Sequence, residues 1–361
     1  MNRTGSPTSH TQGVLPVVNS HNEWDPLQEV VIGIPDGAVV PPWNAMLGAT
    51  MPDQHRKFFQ ENGGRPFPKV VVDDARREID GLARFLEREG VVVRFPDVVE
   101  HARGFATPDW QSECGLYAAM PRDVLLVVGN EIIEAPMAWR SRYFEVNAYR
   151  TLLKDYSRRG ARWTAAPKPT LQDPQYDGHT GKSGYLVTEF EPTFDAADFI
   201  RCGKDLFVQR SHVTNMFGIQ WLRQHLGPTY RVHVIDVCDP HPMHIDATLM
   251  PLAAGKLLAN PERLPVAPAQ FRNWEIRYAP PPTCNRQKPL YMSSNWVSMN
   301  VLSLDEHRVL VEQNETELAS MLKAWGFEPI PCPFQGFNAL GGSFHCAALD
   351  IRRGGQLQSY F

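Results

Sequence analysis

Short apolar runs recur along the whole chain and predict β-strands. Most of these runs are rich in Val and Ile, the residue types that fit a buried strand. The segments between several of them have a different, helical periodicity. The predicted strands are residues 29–35, 91–96, 123–130, 205–210, 230–237, 307–312 and 327–332.

Two of the intervening segments repeat apolar side chains every three or four positions, which predicts amphipathic helices. The first covers residues 73–90 and ends at Gly90, and the second covers residues 215–227 and ends at Gly227. A glycine directly after the last apolar residue is typical of a helix C-terminus. The predicted buried faces consist of Ala75, Ile79, Leu82, Phe85 and Leu86 in the first helix, and of Ile219, Leu222 and Leu226 in the second.

A third helix is predicted for residues 314–326. Asn314 and Glu317 have the spacing of a capping box, and Gly326 ends the segment. After the first and the third predicted helix, a glycine leads directly into a strand. This repeated order suggests a strand–helix–strand unit, and alternating elements of this kind predict an α/β protein.

No long linker divides the chain, so we expect one domain over residues 19–361. Residues 1–18 are polar and rich in Ser, Thr and Gly, and they are predicted to be a flexible N-terminal tail. The Pro-rich residues 277–289 are predicted to be a surface loop.

Composition excludes several classes of partner. The net charge is -4 and no basic run stands out, which argues against nucleic acid. No apolar stretch approaches the length of a membrane span, so no membrane partner is expected. The six cysteines form neither a C-x-x-C pair nor a zinc-site spacing with histidine. We therefore expect no metal site. Scattered cysteines and an N-terminus without a secretion signal predict reduced thiols and a cytoplasmic protein.

Three stretches place polar groups among apolar residues: 189–199, 241–249 and 338–350. Cys346 follows a Gly-Gly turn and a histidine. Three roles are open for it: a thiol packed in the core, a metal ligand or a nucleophile. His244 and Asp246 are two residues apart and would face the same side of an extended strand. Singly, such residues are more often structural than catalytic. Together they match a nucleophile, a base and an orienting carboxylate drawn from distant parts of a chain.

The chain has more carboxylates near these stretches than a thiol protease needs. The acids beside apolar segments are Asp123, Asp195, Asp198 and Asp246. A cluster of acids would repel a carbonyl oxyanion but would bind a planar guanidinium. Acids also disfavour a thiolate, so a cationic substrate should help to ionise the thiol. This pattern indicates attack on the central carbon of arginine or a similar compound.

Long motifs in the chain resemble the arginine:glycine amidinotransferases. They are "EPTFDAADF", "HPMHIDATL", "YMSSNWVSMNVL" and "GGSFHCAALDIRRGG", and the resemblance extends from residue 21 onward. It implies a pentein fold, an α/β propeller of five ββαβ modules about a pseudo-fivefold axis, with the active site in the central channel. It also implies a homodimer that uses no cofactor.

The resemblance assigns roles to individual positions. Cys346 matches the nucleophile, His244 matches the general acid/base, and Asp195 matches the partner of that histidine. The positions that match substrate contacts are Asp123 and Asp246 for the guanidinium, Arg263 for the substrate carboxylate, and Ser293 and Ser294. Asp198 has no assigned role and is predicted to be structural. His345 is also predicted to be structural, since adjacent side chains on a strand diverge.

The implied reaction is a ping-pong transfer of the amidino group of L-arginine, through an amidino-cysteine, to an acceptor amine. Glycine is the leading acceptor and would give guanidinoacetate and L-ornithine. The glycine-specific members carry Asn where this chain has His241, although Met243 is retained, so both positions are candidates for acceptor specificity. Lysine, another ω-amino acid or an inosamine phosphate are alternative acceptors. A guanidino hydrolase such as an arginine deiminase, or a non-catalytic binding protein, are further alternatives.

Overall fold

The strands form three-stranded sheets that share one plan. The computed structural model describes residues 16–51, 53–177, 184–283 and 292–361, except the side chain of Gln54. Within these residues, five sheets each combine an antiparallel pair with a third strand that runs parallel to the second. The strands are β1 (Leu27–Ile32), β2 (Val92–Arg94), β3 (Phe105–Ala106), β4 (Gln111–Ser112), β5 (Leu125–Val128), β6 (Glu131–Glu134), β7 (Arg162–Ala165), β8 (Phe199–Cys202), β9 (Asp205–Gln209), β10 (Arg231–Ile235), β11 (Leu249–Ala253), β12 (Lys256–Ala259), β13 (Glu275–Tyr278), β14 (Leu302–Ser303), β15 (Arg308–Glu312), β16 (Glu328–Cys332) and β17 (Ala348–Arg353).

Crossover helices complete a ββαβ module in most of the sheets. The helices are α1 (Ala45–Thr50), α2 (Arg56–Asn62), α3 (Lys69–Arg88), α4 (Pro121–Val124), α5 (Arg150–Arg158), α6 (Met216–Leu226), α7 (Thr316–Ala324), α8 (Gln335–Asn338) and α9 (Phe344–Ala347). Helices α3, α5, α6 and α7 each connect the second and third strands of a sheet, and the 3-10 turn Ala269–Asn273 does so between β12 and β13. The α/β fold class is therefore confirmed.

The last strand of the chain closes the first sheet. β17 pairs antiparallel with β1, with Val30 opposite Asp350, and β1 pairs in parallel with β2. Residues near both chain ends therefore meet in one sheet. Because α9 leads directly into β17, this pairing also fixes the turn that carries Cys346.

The two amphipathic helices are confirmed. In α3 the buried residues are Ala75, Ile79, Leu82, Ala83 and Leu86, while Phe85 is partly buried against the same core. α6 begins after Asn215, whose side chain accepts a hydrogen bond from the Gly218 amide, and it ends at Gly227 with φ of 64°. None of the described helices combines the length and the apolar character of a membrane span.

All seven predicted strands overlap strands of the structure, but several local predictions are wrong. The segment 123–130 begins as α4, because Pro121 starts a helical turn that continues to Val124. The capping box is absent, since α7 begins at Thr316 and the Asn314 side chain donates to Glu312 instead.

Two predicted segment boundaries also shift. The start of the Pro-rich loop 277–289 belongs to β13, which ends at Tyr278, and residues 284–289 lie outside the described residues. Val18, the last residue of the predicted tail, is buried in a core cluster, so the packed part of the chain begins before residue 19. Residues 1–15 lie outside the described residues.

A buried ion network crosses between the sheets beneath Cys346. Arg201 donates to Glu23 at 2.7 Å and to both carboxylate oxygens of Asp350 at 2.8 Å. Asp350 also accepts from Arg122 at 2.6 Å and from Arg353 at 2.6 Å. Burial raises the pKa of Asp350, but Arg201 and Arg122 lower it well below its usual range. The carboxylate is therefore ionised and shared by three guanidinium groups.

Removing the Asp350 charge should destabilise the fold strongly. Asp350→Asn leaves three buried cations with one fewer anion, so we expect the free energy of unfolding in urea to fall by about 3–5 kcal/mol. Asp155→Asn is the matched control, because Asp155 is 55% exposed and pairs with Arg159 on the surface. The control should change stability by less than about 0.5 kcal/mol. Equal effects of the two substitutions would contradict this assignment.

Candidate active site

Cys346 lies on the single helical turn α9, between a Gly-Gly turn and β17. It is buried, with 3% of its surface exposed. Gly342 permits this placement, because a Cβ at Gly342 would lie 2.6 Å from the Cys346 Cβ and 2.9 Å from the Met120 sulfur. Gly341, with φ of 108°, makes the preceding bend. The two glycines are therefore required by the position of the thiol.

Asn300 holds the turn that carries the thiol. Its Oδ1 accepts hydrogen bonds from the backbone amides of Ser343 and Cys346, both at 3.1 Å. Its Nδ2 donates to the Cys346 Sγ at 3.0 Å. Sequence reasoning missed Asn300, although it lies inside the motif "YMSSNWVSMNVL". A polar amide between apolar neighbours was the available indication.

His244 lies between two carboxylates. Its Nε2 is 3.1 Å from Asp195 Oδ2 and its Nδ1 is 3.6 Å from Asp123 Oδ1. Burial lowers the pKa of His244, but Asp123 and Asp195 outweigh it and raise the pKa well above its usual value. The imidazole is therefore protonated at neutral pH and can act as an acid.

The extended strand predicted for His244 and Asp246 is wrong. His244 has φ of 58°, and the 3-10 turn Ile245–Ala247 follows directly. The left-handed backbone at His244 is an unusual conformation for a residue other than glycine. The bend nevertheless brings both side chains to the same cavity.

Asp246 is in direct contact with the thiol. Its Oδ2 accepts from Cys346 Sγ at 3.2 Å and from His345 Nδ1 at 2.9 Å. Burial raises the pKa of Asp246, but the hydrogen bond from His345 helps to lower it below its usual value. Burial and the neighbouring Asp246 charge raise the pKa of Cys346 to about 12. The free protein therefore holds a neutral thiol beside an ionised carboxylate.

A buried arginine that sequence reasoning missed braces Asp123. Arg142 donates to Asp123 Oδ2 at 2.9 Å and to Glu145 at 2.9 Å, and lies 3.7 Å from Asp195. The second oxygen of Asp123 is buried and accepts no hydrogen bond from the described residues. Burial raises the pKa of Glu145 to about 7. Arg142 thus fixes one oxygen of Asp123 and leaves the other available to a ligand.

These side chains open onto a cavity of about 720 Å³. This volume is within the range of small-molecule sites. Nine of the ten predicted site residues line it, namely Asp123, His241, Met243, His244, Asp246, Arg263, Ser293, Ser294 and Cys346. Asp195 lies behind His244 and contacts its ring. The predicted residues are thus brought together, and their catalytic and binding roles remain predictions.

The predicted carboxylate-binding residue lies in the cavity wall. Arg263 pairs with Asp239 through Nε at 3.0 Å, and 9% of its surface is exposed. The Ser293 hydroxyl donates to the Asn338 carbonyl at 2.7 Å. The Ser294 hydroxyl accepts from the Trp296 amide at 3.2 Å. Both serines are therefore held in place by backbone contacts before any ligand arrives.

The two candidates for acceptor specificity differ in exposure. His241 is exposed, and its Nδ1 is 3.1 Å from the Ala49 carbonyl across the cavity mouth. Met243 is half-buried and packs against the main core cluster. His241 is therefore the more accessible of the two to an incoming molecule.

Asp198 supports the site from behind. Its Oδ2 accepts from the hydroxyls of Ser211 at 2.6 Å and Thr214 at 2.5 Å, and Thr214 in turn accepts from the Asp195 amide at 3.2 Å. Burial raises the pKa of Asp198 to about 6. This arrangement agrees with the structural role predicted for Asp198.

The same side chains include types that ligate metal ions. Ligand atoms of Asp123, His244 and Cys346 lie within 4.8 Å of one another. However, a protonated imidazole has no lone pair to offer a metal, and the carboxylates around His244 favour that protonated form. We therefore assign the cluster to acid–base and nucleophilic chemistry.

The raised pKa of Cys346 predicts how the free protein reacts with iodoacetamide. Because only the thiolate reacts, and its fraction rises tenfold per pH unit below the pKa, alkylation should accelerate throughout pH 6–9. Mass spectrometry of the Cys346 peptide would give the rate at each pH. A rate that is already constant below pH 7 would contradict the assignment, because it would require a thiolate in the free protein.

Relatives of this chain at about half sequence identity are amidinotransferases. It is 53% identical to L-arginine:L-lysine amidinotransferase of Pseudomonas savastanoi pv. phaseolicola over 349 residues, which cover 95% of this chain and 96% of that protein. It is 49% identical to mitochondrial glycine amidinotransferase of Danio rerio, over 95% of this chain and 85% of that protein. A solved amidinotransferase of the saxitoxin biosynthetic pathway from Microseira wollei superposes with a TM-score of 0.90 at 51% identity, over 95% of this chain and 99% of that one. No protein-family model matches the chain.

Proposed function

The chain belongs to the amidinotransferase family, and we propose that it transfers the amidino group of L-arginine to the side-chain amine of L-lysine. The products would be L-ornithine and L-homoarginine. The observation that carries the proposal is the contact of the Cys346 thiol with Asp246, opposite an imidazolium at His244, in a cavity lined by acids. A planar cation fits this charge pattern, and its central carbon would face the sulfur.

In the first step, the guanidinium of arginine binds between Asp123 and Asp246, and Arg263 binds its carboxylate. The incoming positive charge offsets the two carboxylates, lowers the pKa of Cys346 and so favours transfer of the thiol proton to water. The thiolate then attacks the guanidino carbon. The bond from this carbon to the side-chain nitrogen breaks, and His244 gives its proton to the departing amine. Ornithine leaves and an amidino-cysteine remains.

In the second step, an acceptor amine attacks the amidino carbon of Cys346. His244 is now neutral and takes a proton from the attacking nitrogen. The carbon–sulfur bond breaks and leaves the Cys346 thiolate, which regains its proton from water. His244 is thereby restored as an acid, held between Asp123 and Asp195. Two half-reactions at one site predict ping-pong kinetics.

The symmetry of the two half-reactions is compatible with lysine as acceptor. The amine of ornithine is itself an acceptor in the reverse direction, so the site must accommodate an α-amino acid with a terminal amine. Lysine carries the same groups and is one methylene longer, and Arg263 can bind its carboxylate in the same way. The 53% identity to a lysine-dependent relative supports this choice. It moves the proposal away from glycine, the acceptor favoured by the sequence motifs.

Glycine is the second candidate, because relatives at 49% identity act on it. In glycine the amine and the carboxylate are on the same carbon. If the amine reaches Cys346, the carboxylate is therefore too close to Cys346 to contact Arg263. The exposed ring of His241 at the cavity mouth distinguishes this chain from the glycine-specific motif. An inosamine phosphate would need a group that binds phosphate.

Labelled arginine with a panel of amines tests the proposal. Wild-type protein should convert arginine to ornithine in the presence of lysine, with homoarginine formed in equal amount. Glycine, an inosamine phosphate and buffer without amine serve as comparisons. Guanidinoacetate formed faster than homoarginine would make glycine the acceptor, and citrulline formed without amine would indicate a hydrolase. No ornithine with any amine would overturn the transferase proposal.

The resemblance also supports a proposal for the whole molecule. Five of the described sheets have three strands in the same arrangement. This supports a five-bladed pentein propeller of ββαβ modules about a pseudo-fivefold axis, with the cavity at its centre. We further propose a cytoplasmic homodimer that needs only small-molecule substrates and no cofactor. Light scattering during size-exclusion chromatography would measure the oligomeric state.

A further inference from the structure

His345, the neighbour of Cys346, lies between two carboxylates. Its Nδ1 is 2.9 Å from Asp246 Oδ2 and its Nε2 is 3.1 Å from Glu23 Oε2. The ring is fully enclosed, with 1% of the residue exposed. The prediction that it is a strand residue is wrong, because residues 344–347 form the helical turn α9. Its ring therefore has two defined partners instead of diverging from the site.

Both partners of His345 are ionised. Burial raises the pKa of Glu23, but Arg201 and Arg122 outweigh it and lower the pKa far below its usual range. The pKa of Asp246 is also lowered. An ionised carboxylate can only accept hydrogen bonds, so each ring nitrogen of His345 faces an acceptor. An imidazole that makes both of these hydrogen bonds donates from both nitrogens and is then a cation.

We propose that His345 is a positioning residue of the transfer reaction, whose imidazolium fixes Asp246 against the thiol of Cys346 and anchors both to Glu23. The proposal rests on the proposed function in taking Cys346 as the nucleophile and Asp246 as a contact of the guanidinium. Neither the sequence motifs nor the proposed mechanism gives His345 this role.

The anchor at Glu23 is rigid. Arg201 donates to both of its carboxylate oxygens, at 2.8 and 2.7 Å. Arg122 lies 3.4 Å from the same carboxylate and also donates to the His345 carbonyl at 2.8 Å. The ring and the backbone of His345 are therefore both fixed by the buried ion network. The charged groups that face His345 are Glu23, Asp246 and these two arginines.

The charge of His345 matters because Asp246 performs two tasks that conflict. It must be an anion to bind a guanidinium, yet an anion beside Cys346 makes the thiolate harder to form. A cation on the far side of Asp246, two hydrogen bonds from the sulfur, offsets part of this repulsion. It also keeps Asp246 Oδ2 in the direction of Sγ.

Alkylation of Cys346 by iodoacetamide tests the role without any substrate. His345→Gln keeps a hydrogen-bond donor but removes the charge, so alkylation should be at least tenfold slower than in wild type at each pH from 6 to 9. His225→Gln is the matched control, since His225 also contacts a buried carboxylate, Glu131, at 2.9 Å but lies on α6. It should follow the wild-type rates. A folded His345→Gln protein that reacts at the wild-type rate, or faster, would overturn the proposal.

A second measurement decides the case if His345→Gln does not fold. Neutron diffraction from crystals of the perdeuterated wild-type protein should show deuterium on both ring nitrogens of His345. Deuterium on one nitrogen only would overturn the proposal. Because neither experiment uses arginine, failure of the proposed function would appear separately, as a protein that forms no ornithine while His345 still controls the thiol.

Discussion

Replacing Cys346 by Ala should lower the rate of ornithine formation from arginine by a factor of about 10⁴–10⁶, as expected when a covalent nucleophile is removed. The loss should be in both half-reactions, because the sulfur forms the bond to the amidino carbon in each. Wild-type protein mixed with arginine alone should gain the mass of one amidino group on the peptide that contains Cys346. The variant should gain none.

Cys332→Ala is the control for this experiment. Cys332 is half-buried at the end of β16, so its loss changes the thiol count without touching Asp246 or Asn300. We expect the control to keep wild-type activity and to form the same adduct. Rapid ornithine formation by Cys346→Ala would show that the sulfur is not the nucleophile.

Replacing His244 by Gln should lower the rate with arginine by a factor of about 10²–10⁴, the usual contribution of a general acid. The loss should depend on the leaving group. The guanidinooxy analogue of arginine has an oxygen next to the guanidinium and releases a weakly basic aminooxy compound. This leaving group needs less assistance from an acid. The variant should therefore lose much less activity with this donor. Steady-state rates with both donors would measure the difference.

His233→Gln is the matched control for His244. His233 also contacts a buried carboxylate, Asp205, at 2.7 Å, but it lies on β10. The control should retain wild-type rates with both donors. An equal loss with the two donors in His244→Gln would argue that the imidazole orients groups without transferring a proton.

Most of the strands that the sequence predicted correctly contain Val- and Ile-rich runs. Most of the strands it missed are short or carry charges, although β11 is apolar and has five residues. β17 contains Asp350, Arg352 and Arg353, and its polar residues resemble a loop until their partners in the ion network are known. β6 begins and ends with glutamate, although all of its residues are buried. In both strands, charged residues that disfavour a buried strand are stabilised there by ion pairs with residues elsewhere in the fold.

The site could be predicted in its chemistry but only partly in its geometry. Motifs identified Cys346, His244 and the surrounding acids. Arg142 and Asn300 were missed because their roles depend on tertiary contacts with Asp123 and Cys346, which no local sequence pattern shows. The bend at His244 was missed because a histidine with positive φ has no sequence pattern of its own.

The closure of the first sheet by β17 has a consequence for biosynthesis. During translation, Cys346 and Asp350 are made after Arg122, Arg201 and Asp246. Until then Arg122 and Arg201 lack Asp350, and the shared cavity has no thiol. A chain that stops before residue 346 therefore lacks both the thiol in the cavity and the carboxylate that Arg122 and Arg201 share.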